Sequence, residues 1–338
     1  MKRIAIALAL AMCAAGQVPR VGDVEFYGFR KVKEENARRL LNIKPGDALP
    51  PSKGDLEEQL ETIPGIVQAR VEAVCCDDGK AVLFIGVEER GAPHFAFRSA
   101  PSGTVALPRE ILETYSSLVG ALASAARRGS TAEDLTRGHS LMADPPSRDI
   151  QQRFTTLAEK HLATIRTVLR ESGDPEQRAV AAAVIGYARD KKSVLDDLQY
   201  AMQDPDESVR ANAMRSLGAI GVLATRQPAL GIRIQPTWFV EMLNSLSFSD
   251  RTRAASALVN LTDGDAASTL DQIRERALDS VVEMARWHTL RYALPAFILA
   301  GRMAGMNQSQ IEEAWTGGRR DAVLEKVESG KPKAKPQG

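Results

Sequence analysis

The period of the hydrophobic pattern changes along this chain. Residues 21–29, VGDVEFYGF, alternate, with Val24 and Phe26 on one face and Glu25 and Tyr27 on the other. That predicts a strand, which Gly28 ends. KVKEENARRLLNI (31–43) places Ala37, Leu40 and Leu41 at helical spacing, and KPGD (44–47) stops it. Ser52 can cap a second helix that turns Leu56, Leu60 and Ile63 inward before Pro64-Gly65. Residues 66–76 and 80–90 alternate again across Asp77-Asp78-Gly79, a tight hairpin signal. The predicted order is β-α-α-β-β.

The pattern then loosens. GAPHFAFRSAPSGTVALP, directly after Arg90, has Pro, Gly and Ser spread through it and reads as a linker. Residues 109–129 form an amphipathic helix with Ile111, Leu112, Tyr115, Leu118, Val119 and Leu122 on one side. The stretch to Pro145-Pro146 predicts a short helix over 132–142, capped by Ser130 or Thr131, mixed with loop. From Phe154 onward the pattern is almost wholly helical. First helices are expected at 156–170, 193–203, 237–247 and 271–286. Each is followed by a second helix marked by a basic and two apolar positions: Arg178, Ala181 and Ile185; Arg210, Ala213 and Leu217; Arg251, Ala254 and Leu258; Arg291, Leu294 and Ile298. Asp174, Asp204, Asp206 and Asp250 stand at the preceding turns, where a carboxylate can cap a helix. The recurring Arg is expected to bond the turn Asp of its own or the next repeat, with direct partner contact as the alternative. A metal site at Asp204, Asp206 and Glu207 is not expected, because a helix starts at once and no glycine makes the sharp turn of a calcium loop.

Gly28, PGD, IPGIVQARV and a strand ending VEER, in this order, resemble a POTRA domain, a module of about 70 residues here (20–90). The resemblance implies partner binding by adding a strand to a sheet edge. DPDESVRANAMRSLGAI, with its recurrences, resembles the HEAT repeats and implies an all-α superhelical solenoid over 154–316 that acts as a protein-binding scaffold. The expected fold class is therefore α+β and multidomain. Residues 1–16 read as a signal peptide, 91–153 as linker and helical connector, and 317–338 as a disordered basic tail. Lys2 and Arg3 precede the apolar run Ile4–Ala11, and Cys13 after Leu10-Ala11-Met12 resembles a bacterial lipoprotein signal, although Met12 stands where a small residue is expected.

Composition adds exclusions. A net charge of +1 gives no electrostatic case for nucleic acid, and 5% aromatic content favours helices packed through small side chains. Adjacent Cys75 and Cys76 lack redox or zinc spacing; a vicinal disulfide is conceivable, but two unpaired thiols, one facing the core, are expected. Glu88-Glu89-Arg90 reads as solvated charge. The histidines at 94, 139, 161 and 288 show no metal or catalytic spacing, and no phosphate loop or nucleophile elbow occurs. No catalytic residue, cofactor, metal or small-molecule substrate is expected. The sequence thus predicts an exported, periplasmic or envelope-associated adaptor with protein partners, and its tail reads as solubilising, with contact of its lysines to anionic lipid or envelope polymer as the alternative. An accessory factor in outer-membrane protein assembly or secretion, and a HEAT-like lyase, are the alternatives.

Overall fold

The computed structural model describes residues 19–77, 79–263 and 267–330. The stretch assigned to a signal peptide and the last eight residues lie outside them. Strand β1 (Val21–Tyr27), helices α1 (Glu34–Leu41) and α2 (Lys53–Glu61), and strands β2 (Ile66–Asp77) and β3 (Lys80–Glu89) follow the predicted order. The sheet runs β1-β3-β2, with β1 parallel and β2 antiparallel to β3. A parallel pair needs a crossover, and α1 and α2 lie within it. Leu56 and Leu60 of α2 and Ala37 of α1 bury one sheet face with Val24, Phe26, Val71 and Ile85.

Details at the strand ends depart from the expectations. Glu89 is buried, and its carboxylate accepts the backbone N–H groups of Arg30, Lys31 and Val32 at 2.8, 2.8 and 3.0 Å. It is an anchor for the turn after β1 rather than solvated charge. Cys75 is exposed and disulfide-bonded, against the expectation of free thiols. It stands where the β2 ladder register shifts between Val74 and Asp77, so the strict alternation expected to turn one of the two thiols to the core does not hold there.

Helix α3 (Arg109–Arg127) forms as expected. The helix expected over 132–142 is instead a small hairpin of β4 (Glu133–Asp134) and β5 (Leu141–Met142). Pro145-Pro146 is not loop but the first turn of α4 (Pro145–Glu171), capped by Asp144. A missing N–H costs nothing at that position, where it would have no partner. The chain continues through α5 (Pro175–Ile185), α6 (Leu195–Ala201), α7 (Glu207–Arg226), α8 (Thr237–Met242), α9 (Phe248–Leu261), α10 (Ala267–Arg276), α11 (Leu278–Ala285), α12 (Leu290–Met303), α13 (Gln308–Thr316) and α14 (Arg320–Ser329). The hairpins α4–α5, α6–α7, α8–α9 and α11–α12 stack through their second helices in series. Small residues allow close approach: a Cβ on Gly186 would lie 2.5 Å from Ser216 Oγ of the next repeat. The helix expected over 271–286 is broken at Ala277 into α10 and α11. Within the stretch expected to be a disordered tail, Arg320–Ser329 is helix α14, because Val323, Leu324 and Val327 make an apolar stripe that it buries against the last repeat.

The second face of the sheet is not free. Val82, Phe84 and Tyr27 belong to the same buried cluster as the solenoid core. Phe84 stacks on Phe248 of α9 with ring centroids 3.9 Å apart and meets Trp287 and Tyr292 edge-on at 5.1 and 5.6 Å. Gly86 makes room for this, since a Cβ there would lie 2.4 Å from the Tyr27 ring. Nor does the segment after Arg90 act as a loose linker. Phe95 and Leu107 are buried, and Gly103 pairs with the α4–α5 turn through Gly103 N–H to Glu171 O (2.8 Å) and Gly173 N–H to Gly103 O (2.7 Å).

Candidate functional site

Each of the first three second helices carries its recurring Arg four residues after the cap: Asp174 and Arg178, Asp206 and Arg210, Ser247 and Arg251. One turn of helix later the side chain points back at the turn between the two helices of its own repeat. Arg178, Arg210 and Arg251 donate there to the carbonyls of Ser172, Asp204 and Ser245 at 2.9, 2.9 and 2.6 Å. Their remaining N–H groups cross to the following repeat. Arg178 holds Asp204 in a two-pronged pair at 2.8 and 2.9 Å, Arg210 holds Asp250 at 2.8 Å, and Arg251 holds Glu283 at 3.1 Å. All three arginines, Asp204 and Asp250 are buried. Asp174 and Asp206 cap α5 and α7 through Glu176 N–H at 2.8 Å and Ser208 N–H at 2.9 Å. Asp250 lies one turn into α9, which Ser247 caps. The ladder residues therefore join repeat to repeat, and the buried ones offer no surface to a partner.

Arg291 is a correction. Four residues after the cap Thr289 stands Ala293, and the equivalent stripe of the last repeat is Ala293, Ala296 and Ala300, all fully buried. Demanding a basic landmark shifted the assignment by two residues. Arg291 is exposed and lies 4.7 Å from the Tyr292 ring centroid. The N-terminal segment supplies what this repeat lacks: Glu25 of β1 accepts the N–H groups of His288 and Thr289 at 2.5 and 3.0 Å.

The same segment covers the rest of the ladder edge, which pattern reasoning missed. Arg98 shares Asp204 with Arg178, and the Arg98 N–H bonds Gln203 O at 2.9 Å. Phe97 lies under Arg210 at 4.1 Å, and Tyr27 under Arg251 at 4.6 Å. Tyr27 also donates its hydroxyl to Leu246 O at 2.8 Å, Glu72 accepts Phe248 N–H at 3.0 Å, and Arg70 pairs with Glu207. The aromatic residues FAF inside a Pro-, Gly- and Ser-containing linker are the one sequence signal for this docking. A cleft of about 470 Å³ remains between β2, residues 95–97 and the turns before α7 and α9, with Arg70 and Arg210 already paired within it.

The sheet edge expected to take a partner strand is partly engaged. The outward N–H groups of Ala69 and Val71 on edge strand β2 donate to Glu61 and Glu57 of α2 at 3.0 and 2.8 Å. Side-chain capping of an edge limits pairing with another chain. Among buried titratable groups, Lys191 donates to Gly186 O at 2.7 Å and stands 3.2 Å from His139 Nδ1. Burial, then the Lys191 charge, pushes His139 down to about 4, and burial pushes Lys191 down to about 8. The side chains of Asp204, Asp206 and Glu207 are spent on Arg178 and Arg98, on the α7 cap and on Arg70.

What stays open is the outward face of the second helices. Arg215, Arg253 and Arg291 stand nine, six and two residues after their caps. At roughly 100° per residue they fall within about 60° of one another, opposite the buried stripe. All three are exposed. Arg253 bonds only Ser249 Oγ at 3.2 Å, and among the described residues neither it nor Arg291 has a carboxylate partner. Partial desolvation, then the neighbouring Arg215 charge, holds Arg253 below the usual guanidinium range, with Asp250 and Glu207 acting against the shift. Arg215 itself is met by Glu133 of the β4–β5 hairpin.

Residues 162–235 match the family of HEAT repeats. The chain carries HEAT-like helical repeats. A designed armadillo repeat protein is similar over 59% of this chain and 92% of its own length, at 17% identity and a TM-score of 0.36. No curated protein matches. Helical repeats of this kind are commonly protein-interaction scaffolds, and no catalytic family is indicated.

Proposed function

We propose that this chain is a protein-interaction scaffold, and that the outward face of α7, α9 and α12 takes an acidic segment of its partner. One observation carries the reading: Arg253 stands exposed beside Arg215, and among the described residues no carboxylate pairs with it directly. Two like charges held together on one exposed face favour an anionic occupant. Glu133 on Arg215 illustrates the contact that a partner's carboxylates would extend. The docked sheet and its capped β2 edge favour a single binding face over a separate grip at each end.

The test is fluorescence anisotropy with a labelled, extended Asp/Glu-rich peptide on the full chain. The wild type should bind with an affinity that falls as salt rises, and Arg253→Glu should weaken it about tenfold. Arg90→Glu, at the end of β3, should leave it unchanged. Equal binding by Arg253→Glu and wild type would sink the proposal. The finer reading is an exported, envelope-associated protein with a POTRA-like module. The basic-then-apolar start and the β-α-α-β-β order support it. Recovery of the native protein from the cytosolic fraction alone would overturn that part.

A further inference from the structure

Strand β1 and the turn before α12 bring Asp23, Glu25 and His288 together. Asp23 and Glu25 are two apart on a strand and share a face. Asp23 Oδ2 lies 3.6 Å and Glu25 Oε2 3.4 Å from the same atom, Nδ1 of His288. One ligand atom from each residue lies within 4.8 Å of the other two.

Both carboxylates are aimed by backbone donors. Asp23 Oδ1 accepts the Val24 N–H at 2.8 Å, and Glu25 Oε1 accepts those of His288 and Thr289. Each therefore keeps one oxygen turned to the imidazole, as carboxylates in metal sites are held by a supporting shell of hydrogen bonds. The separations do not describe a histidine–carboxylate hydrogen bond, which would draw Nδ1 to about 3 Å from one oxygen. In a tetrahedral zinc site with bonds of about 2.0–2.1 Å, neighbouring ligand atoms stand about 3.3–3.4 Å apart. The observed 3.4 and 3.6 Å are close to that spacing. Glu25 is buried while the His288 side chain is 69% exposed, so the cluster opens to solvent on the side where water would complete the coordination.

We propose that Asp23, Glu25 and His288 bind a divalent transition-metal cation of the zinc type, which staples β1 to the turn before α12. The ligand set is one imidazole and two carboxylates, with water in the fourth position. The site is separate from the arginine face proposed to take a partner, and it stands whether or not that reading does.

Zinc binding to the untagged full chain, by equilibrium dialysis, tests the proposal, with cobalt(II) as a spectroscopic probe. One zinc should bind per chain, and cobalt should give the intense visible bands of tetrahedral coordination. His288→Ala keeps the backbone N–H groups that Glu25 accepts, so the fold should survive, yet zinc affinity should fall at least about tenfold. Asp23→Asn should do the same. Zinc should raise the thermal midpoint of the wild type and leave that of His288→Ala unmoved. Absence of stoichiometric zinc, or zinc binding by both variants as tight as that of the wild type, would overturn the site.

Discussion

The fate of one arginine type differs with its place on the helix. Arg210 is buried between its own turn, Asp250 of the next repeat and the Phe97 ring, whereas Arg291 is exposed. Removing one member of a buried pair leaves a charge without compensation. Arg210→Ala should therefore lower stability in urea by about 3 kcal/mol, and Arg291→Ala should stay within about 0.5 kcal/mol. Equal effects would contradict the register in which Ala293, not Arg291, is the ladder equivalent. His139 supplies a pH prediction. Its folded value, down at about 4 against an ordinary 6.5, means that the native state holds it neutral. Its contribution is present above about pH 6.5 and is lost as pH falls toward 4. His139→Asn should flatten the stability profile across that window, as read by urea midpoints at successive pH values.

At the scale of elements, alternation and helical spacing made the first five elements legible from sequence, as they did the repeat hairpins around DPDESVR. Two segments were misread for a common reason. The β4–β5 hairpin and α14 are short, and contacts made elsewhere decide their state. Ser140 O accepts the Tyr187 hydroxyl at 3.0 Å and so ties the hairpin to the solenoid, while Val323, Leu324 and Val327 need the last repeat to be buried at all. Ending the chain at residue 317 removes those three side chains. At about 1.5–3 kcal/mol for each buried aliphatic, the loss should be on the order of 5 kcal/mol. A truncated chain with the thermal midpoint of the full one would show that α14 adds nothing.

Across the whole molecule, the sheet and the solenoid share one core through Phe84, Phe248, Trp287 and Tyr292. Elements that share a core are expected to unfold together. Calorimetry should record a single transition for the wild type. Phe84→Ala should cost about 3–5 kcal/mol and resolve a separate, lower transition for the N-terminal module. Two well-separated transitions in the wild type would mean that the docking contributes little to stability.

The sequence alone determined local conformation and repetition. Both depend on short-range patterns: alternation for strands, spacing for helices, and Asp at turns. It also identified Arg178, Arg210 and Arg251 as a recurring set and their pairing with turn acids as the expected role. Only the tertiary structure decided what covers that ladder. The contacts of Tyr27, Phe97 and Arg98 with the turns join residues far apart in the chain, and a charge or ring in a linker does not announce its distant partner. The meeting of Asp23, Glu25 and His288 has the same origin, since no spacing in the sequence relates a strand near the start to a turn near the end.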